Sequence, residues 1–103
     1  MKSEKPTIFQ PERTPLGLTF LVLSGASIMC VASAVDPLRA ANRVAGAPAF
    51  SWRIVSTDGA PPVTTAGLPV AVEGRFDPAV PTDVLVVVGG FGTREQGTPA
   101  LLA

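Results

Sequence analysis

Short apolar runs and one longer stretch of helical spacing divide this chain into predicted elements. The runs at residues 16–23 (LGLTFLVL) and 83–90 (DVLVVVGG) are nearly continuous and lead into glycine-containing turns. Such runs are typical of strands buried on both faces of a parallel sheet. Residues 51–59 (SWRIVSTDG) alternate instead, with Trp52 and Ile54 on one side. The pattern therefore predicts three strands, of which the last has the character of a central strand.

Between the first and second strands, apolar residues recur at the spacing of one helical face. They are Ile28, Val31, Val35, Leu38 and Ala45. The pattern predicts a helix that begins after Ser27 and ends at Gly46, since glycine readily adopts the left-handed conformation that ends helices. Pro37 interrupts it, because proline lacks an N–H donor and clashes with the preceding turn. We expect either a kink at this point or a helix restarted there, with Asp36 near its cap.

The order strand, helix, strand, strand predicts one α/β domain. Residues 63–72 contain short apolar segments around a glycine turn, and we expect a small ribbon beside the main sheet. Residues 1–15 are polar, rich in proline and without periodicity, so they are predicted to be a disordered leader before a domain at residues 16–103. Thr98 and Pro99 have the residue types of a cap and first position of a further helix.

The composition is that of a folded domain without net charge. Of the 103 residues, 47% are hydrophobic and 16% are charged, which indicates a chain that buries a core. Eight basic residues balance eight acidic ones. The chain therefore lacks the positive charge by which proteins bind a nucleic-acid backbone or an anionic membrane surface.

Histidine is absent, and Cys30 is the only cysteine. The most common proton shuttle and metal ligand is therefore missing, which excludes Ser-His, Cys-His and zinc-histidine sites within this chain. We expect no bound metal and no cofactor. A thiol near a helix N-terminus can be a nucleophile, but Cys30 has no histidine base and stands in an apolar helix. A buried, unreactive thiol is the favoured interpretation.

An export signal is the alternative for the first part of the chain. Basic residues precede an uncharged stretch, and residues 32–34 (ASA) resemble a signal-peptide cleavage site, with Val35 as the new N-terminus. Glu4 and Glu12 weaken the positive leader, and small polar residues interrupt the apolar run. A secreted α/β protein is therefore disfavoured, and a membrane span still more so.

The carboxyl ends of the first and last predicted strands place two loops at one edge of the sheet. In open α/β sheets ligands bind beyond this edge, where glycines let backbone N–H groups approach an anion. The first helix also begins here, and its N-terminus favours the negative end of a ligand. The glycine spacing fits neither a Walker nor a dinucleotide-binding motif, and a tight turn alone is the competing interpretation. The predicted ligand-binding residues are Gly25, Ser27, Cys30, Gly89, Gly90 and Phe91.

Three stretches together resemble a known family. They read LVLSGASIMCVASAVDPLRAANRVAG, FSWRIVSTDGAPPVTTAGLPVAV and TDVLVVVGGFG. In this order they resemble the N-terminal half of the class I glutamine amidotransferase-like domain, of the PfpI superfamily, in GlxA-type regulators of the AraC class. The resemblance is closest to regulators of quaternary-amine and amino-acid catabolism. It spans residues 16 to about 95, and Trp52 and residues 56–59 are among its most specific parts.

The resemblance implies a flavodoxin-like, class I glutamine amidotransferase-like parallel sheet with flanking helices, of which this chain would hold the N-terminal half. The implied role is a ligand-sensing and dimerisation domain of a cytoplasmic transcriptional regulator, with a quaternary amine or an amino acid as effector and no membrane partner. DNA would be bound only by helix-turn-helix motifs in a C-terminal part that this sequence does not contain. The implied homodimer uses the first helix, where Arg39, Asn42 and Arg43 are candidate surface or partner contacts.

One position departs from the enzymes of the same superfamily. They carry an acidic residue in the first helix near a nucleophilic cysteine, and Cys30 stands at the matching position here. The strand-to-helix elbow that holds their nucleophile would follow residue 103. Without that carboxylate proton transfer lacks a partner, so the resemblance implies a domain that binds a metabolite without converting it. A PfpI-type cysteine hydrolase or amidase is the alternative.

Overall fold

The computed structural model describes residues 15–90. In chain order its elements are β1 (Leu16–Val22), α1 (Ile28–Ala45), β2 (Phe50–Ser56), β3 (Gly74–Arg75) and β4 (Val84–Val88). The predicted order of strand, helix, strand and strand is confirmed, and the two-residue β3 is an addition to it. The predicted leader, apart from Pro15, and the predicted helix start at Thr98 lie outside the described residues.

The strands form one parallel sheet in the order β3-β2-β1-β4. β1 pairs with β2 from Leu16 opposite Phe50 to Leu21 opposite Val55, and with β4 as far as Val22 opposite Val88. All three pairings are parallel, so the carboxyl ends of the strands meet at one edge. The α/β class with a parallel sheet is thus confirmed.

β4 stands at the edge of the described sheet, although its apolar run predicted a central strand. Val84, Leu85 and Val87 remain partly exposed for this reason, because no described strand or helix covers them. β1 is the strand that is central here, and its second half is buried on both faces. The continuous apolar run predicted a parallel strand correctly, whereas its place in the sheet depends on the neighbours that the strand meets.

α1 is one continuous helix from Ile28 to Ala45 with Pro37 inside it, so the predicted restart at Pro37 is wrong. It begins after Ser27, whose backbone is extended, and it ends at Gly46 in the left-handed conformation at φ 67°. Both predicted ends are confirmed. The Gly46 N–H donates to the Arg43 carbonyl oxygen at 3.3 Å. This hydrogen bond satisfies one of the carbonyl groups at the helix end that have no partner within the helix.

The two faces of the sheet bury different sets of side chains. On the α1 side the core contains Phe20, Val22, Val31, Val70 and Val88, with Val35, Leu38, Trp52 and Ile54 packed around it. On the other side Leu21, Leu23 and Val55 pack with Phe76. The predicted apolar face of the helix is correct for Val31, Val35 and Leu38. Ile28 and Ala45 are exposed, because they lie at the two ends of the helix, beyond most of the sheet.

The segment between β2 and β3 leaves the sheet and returns to it. Val63 and Pro69 form an antiparallel bridge, which confirms the predicted ribbon. The turn inside it is closed by Thr64, whose hydroxyl donates to the Leu68 carbonyl oxygen at 2.8 Å and accepts from the Leu68 N–H at 3.2 Å. No helix of the described part is long and apolar enough to cross a lipid bilayer.

A surface ion pair on α1 gives a prediction about pH. Arg39 donates to Asp36 over 2.8 Å, and this hydrogen bond, followed by the charge of the guanidinium, lowers the pKa of the Asp36 carboxyl. The pair therefore favours the folded chain at neutral pH, and this contribution is lost as the pH falls through the lowered pKa. We expect Arg39→Ala to raise the carboxyl titration midpoint of Asp36 in a ¹³C NMR titration. If the titration midpoint of Asp36 were the same in the parent chain and in Arg39→Ala, the ion pair between the two residues would be contradicted.

Candidate functional site

The β1–α1 loop and the end of β4 meet at the carboxyl edge of the sheet. The Leu23 N–H donates to the Val88 carbonyl oxygen at 3.0 Å, and Ala26 forms an antiparallel bridge with Gly90. A cavity of about 340 Å³ opens between the two segments. Its lining residues are Gly25, Ser27, Cys30, Thr65, Gly89 and Gly90.

Five of the six predicted ligand-binding residues therefore surround one cavity. The sixth, Phe91, lies outside the described residues. The loops come together because parallel strands end at the same edge and because β1 pairs directly with β4. The strand order therefore brings the two loops to the same edge of the sheet.

Thr65 is the lining residue that the sequence did not indicate. Its N–H donates to the Ala26 carbonyl oxygen at 3.0 Å, while the Gly25 N–H donates to the Val63 carbonyl oxygen at 2.9 Å. These two hydrogen bonds fasten the ribbon to the β1–α1 loop and place Thr65 beside the cavity. No sequence pattern indicates that Thr65 lies at the cavity, since these hydrogen bonds join segments that are far apart along the chain.

Gly90 occupies a place that only glycine fits. A Cβ atom there would collide with the carbonyl oxygen of Gly25 and would lie 3.1 Å from the Ala26 Cα. Gly25 has a φ of 86°, in the left-handed region that favours glycine. The two glycines thus permit the close approach of backbone to backbone that forms the floor of the cavity.

The N-terminus of α1 faces the same edge. Ser27 is its cap residue, with φ −75° and ψ 134°, but its side chain makes no capping hydrogen bond. The first turn of α1 also contains no acidic residue. The N–H groups of this turn are therefore not neutralised by a local carboxylate or hydroxyl, and such a helix end favours a negatively charged group nearby.

Cys30 is exposed, so the prediction of a buried thiol is wrong. Val31, the next residue, is the one that turns into the core, and a helix rotates by about 100° between neighbours. Cys30 consequently points away from the sheet and toward the cavity, where it is one of the lining residues. Cys30 thus lies beside the other predicted site residues, and its role in ligand binding stays a prediction.

The walls of the cavity are electrically neutral. Its described lining residues include no aspartate, glutamate, lysine or arginine, and its side-chain polar atoms belong to Ser27, Cys30 and Thr65. Within residues 15–90, no group of histidine, cysteine, aspartate or glutamate side chains is arranged to bind a metal ion. The cavity therefore offers hydroxyl groups and backbone N–H groups as its means of recognition.

A larger groove of about 660 Å³ lies elsewhere, between α1 and β2. Trp52 and Ile54 form its floor, and Asp36 and Arg39 at its border are paired with each other. We favour the smaller cavity as the site, because it lies at the carboxyl edge and combines polar groups with a helix N-terminus.

The side chain of Asn42 joins α1 to the beginning of β2. Its side-chain amide donates to the Phe50 carbonyl oxygen at 2.9 Å, and its amide oxygen accepts from the Phe50 N–H at 2.9 Å. The side chain that was predicted as a candidate surface or partner contact is therefore engaged in hydrogen bonds within the chain. Arg43 is exposed as predicted, and Arg39 is exposed but paired with Asp36.

Comparison with known proteins gives consistent results. The chain is 42% identical over 83 residues to the HTH-type transcriptional regulator CdhR of Pseudomonas aeruginosa, which covers 81% of this chain and 24% of CdhR. It is 32% identical over 98 residues to the HTH-type transcriptional regulator GbdR from two strains of the same species, covering 95% of this chain and 27% of GbdR. No protein-family model matches the chain.

A solved structure extends this similarity to the fold. The structure of an AraC family transcriptional regulator from Pseudomonas putida aligns with a TM-score of 0.66 and 28% identity, covering 75% of this chain and 48% of that one. This chain thus spans about a quarter of the length of the curated relatives that it matches. The predicted resemblance to transcriptional regulators of the AraC class is confirmed, and the chain is a homologue of part of such HTH-type regulators.

Proposed function

We propose that this chain is the ligand-sensing part of an AraC-type transcriptional regulator and that its effector binds in the cavity at the carboxyl edge of the sheet. One observation carries the proposal: the two glycine loops and the N-terminus of α1 converge on a single cavity. The homologous regulators give the class of protein to which such a site would belong.

The chemistry of the cavity favours a small zwitterion bound by its carboxylate. The N–H groups at the uncapped N-terminus of α1 and the hydroxyl groups of Ser27 and Thr65 are suited to donate hydrogen bonds to a negatively charged group. A quaternary amine carrying a carboxylate, or an amino acid, has such a group. Its positive end would need a carboxylate or an aromatic ring, and Phe91, which follows the described residues, is the nearest aromatic residue along the chain.

We further propose that the domain binds its ligand without catalysis. Cys30 is the only thiol, and the sequence contains no histidine to act as its base. The described walls of the cavity also provide no carboxylate for proton transfer. A PfpI-type hydrolase would need a base for its thiol and a carboxylate for proton transfer, and both would have to come from outside residues 15–90.

The remaining partners follow from the same proposal. DNA would be bound by helix-turn-helix motifs elsewhere in a longer regulator in the cytoplasm, and a homodimer would form through α1. On that helix Met29 and Val44 are 73% and 89% exposed, which offers apolar contacts to a second copy. A secreted form is disfavoured, because cleavage after Ala34 would remove β1, which pairs with both β2 and β4.

Two substitutions at Cys30 test the site. The ¹⁵N-labelled 103-residue chain is titrated with carboxylates that carry a trimethylammonium group and with free amino acids, while amide shifts are followed by NMR. We expect at least one compound to shift the amides of Gly25, Ser27 and Gly89. Cys30→Ser should keep the dissociation constant within about threefold of the value for the unsubstituted chain, because the side chain of Cys30 only lines the cavity.

Cys30→Phe is the matched variant that fills the cavity. Because Cys30 is exposed, the larger ring should not disturb the core, and the amide spectrum of the free chain should change only near residue 30. Binding should weaken at least tenfold. Loss of binding in Cys30→Ser, or shifts that cluster in the groove between α1 and β2, would overturn the assignment of the site.

A further inference from the structure

The outer edge of β2, which faces away from β1, is covered by a described strand only at its end. β2 pairs with β1 along most of its length, whereas β3 reaches only Val55 and Ser56. An uncovered edge presents N–H and carbonyl groups to which a strand of another chain can be added. The partners of these groups in the first half of β2 therefore decide whether a second chain can pair there.

Hydrogen bonds show which residues of β2 direct their backbone groups outward. The Ile54 N–H donates to Glu73 Oε2 at 3.3 Å, and the Ile54 carbonyl oxygen accepts from the Glu73 N–H at 2.8 Å. In a strand, the backbone groups of successive residues point to opposite edges. The even-numbered residues of β2 therefore face outward, and the odd-numbered ones face β1. Phe50 and Trp52 accordingly present their N–H and carbonyl groups at the outer edge.

The side chain of Asn42 occupies this edge at Phe50. It donates to the Phe50 carbonyl oxygen and accepts from the Phe50 N–H, each at 2.9 Å. A side-chain amide has a donor and an acceptor like a peptide group, so it replaces one residue of a neighbouring strand. Glu73 bonds both backbone groups of Ile54 in the same way. Trp52 lies between these two occupied positions, and the described residues provide no partner for its outward N–H and carbonyl groups.

We propose that the Asn42 amide prevents a second copy of this chain from pairing with the outer edge of β2. Without the amide, Phe50 and Trp52 are two consecutive outward-facing positions with unbonded N–H and carbonyl groups. In an antiparallel pair, residues directly opposite each other exchange both hydrogen bonds. Phe50 of each copy would thus bond to Trp52 of the other, around a two-fold axis at Ser51. Because this pattern is complementary to itself, a second copy is the partner that fits it.

Neither the proposed effector nor the proposed dimer contact through α1 is needed for this pairing. A dimer through the exposed residues of α1 would form whether or not the Asn42 amide is present. Pairing at β2 would instead require removal of the amide, and it would bring the two copies of Ser51 together. Ser51 is exposed. As an opposite pair without mutual hydrogen bonds, its two Cα atoms would lie about 4.5 Å apart.

Disulfide trapping at position 51 tests the proposal in the 103-residue chain. In a Cys30→Ser background, Ser51→Cys is prepared once with Asn42 intact and once with Asn42→Ala, and both variants are oxidised under mild conditions. Disulfides form readily only when the two Cα atoms lie within about 7 Å. We expect at least fivefold more disulfide-linked dimer from the Asn42→Ala variant, measured on a non-reducing gel. Equal yields from the two variants would overturn the proposal.

Two controls separate strand pairing from unspecific oxidation. Arg53→Cys, in place of Ser51→Cys, keeps the thiol on the same face of β2, but its two Cα atoms would lie about 13 Å apart along the paired strands. In the Asn42→Ala background it should give at least fivefold less dimer than Ser51→Cys. Glu73→Ala leaves Phe50 bonded to Asn42 and should not raise the yield from Ser51→Cys. Equal yields from positions 51 and 53 would overturn the proposal.

Hydrogen exchange of the unsubstituted chain tests the proposal even if Asn42→Ala does not fold. The Trp52 amide should exchange with deuterium at least tenfold faster than the amides of Phe50 and Ile54, after correction for their intrinsic rates, because only these two have side-chain acceptors. Its rate should not depend on protein concentration. A Trp52 amide as slow as its neighbours, or one that slows as the concentration rises, would show that the edge is already covered and would overturn the proposal.

Discussion

Gly90→Ala is expected to destabilise the chain by about 2–3 kcal/mol, although it adds a single methyl group. That methyl group would collide with the carbonyl oxygen of Gly25 and would lie 3.1 Å from both the Gly25 carbonyl carbon and the Ala26 Cα. These atoms belong to backbone, which cannot move aside as a flexible side chain can. The substitution must therefore break the bridge between Ala26 and Gly90 or displace the β1–α1 loop. Urea unfolding of the purified chain measures the effect.

Gly74→Ala is the matched control for this prediction. No heavy atom lies within 4 Å of a Cβ atom built at Gly74, and its backbone needs no left-handed conformation. Its free energy of unfolding should change by less than about 0.5 kcal/mol. If the two alanine variants were equally stable, the close approach of the two loops would be refuted.

The larger substitution Gly90→Val extends the same argument to function. A valine there would both fill the cavity and push the loops apart, so effector binding should be lost. Because this variant also loses stability, it cannot by itself separate a blocked site from a distorted fold. The comparison of Cys30→Ser with Cys30→Phe serves that purpose, since Cys30 is exposed and lies outside the core.

Asn42→Ala is expected to cost about 2–3 kcal/mol, although alanine is the better helix former by up to about 0.7 kcal/mol. The variant removes two hydrogen bonds of 2.9 Å and leaves the N–H and carbonyl groups of Phe50 without them. Both hydrogen bonds are partly buried, so water replaces them incompletely. The loss detaches the C-terminal half of α1 from the beginning of β2. Thermal and urea unfolding both report it.

Two further variants sharpen the interpretation. Arg43→Ala, on the next and exposed residue, should change stability by less than about 0.5 kcal/mol. Asn42→Asp keeps the acceptor for the Phe50 N–H but cannot donate to the Phe50 carbonyl oxygen when it is ionised. It should therefore be less stable at neutral pH than at a pH where the carboxyl is protonated. An Asn42→Ala variant as stable as Arg43→Ala would show that the amide bridge is dispensable.

Gly90 and Asn42 also show how much of the site and of the fold the sequence could predict. Gly90 was predicted at the site from its place after an apolar run, and the structure adds the reason that glycine is required there. Asn42 was predicted on the exposed side of the helix, because it stands among arginines at helical spacing. Its partner is the backbone of Phe50, and no side-chain pattern indicates a backbone partner.

The sequence by itself determined the main elements and their order, as well as the edge of the sheet at which the predicted site residues meet. Apolar runs predict buried parallel strands, and a residue spacing of three to four predicts the helix, because these periods follow from local backbone geometry. The ends of α1 at Ser27 and Gly46 were predictable for the same reason. β3 was not, because two residues are too few to show a period.

Only the tertiary structure decided what depends on segments distant in the chain. It placed β4 at the edge of the described sheet, turned Cys30 outward, and brought Thr65 to the cavity by hydrogen bonds between the ribbon and the β1–α1 loop. It also allowed α1 to continue through Pro37, where the local sequence favoured a break. In each case the outcome is set by packing and hydrogen bonding between distant parts of the chain, and such contacts leave no periodic trace in the sequence.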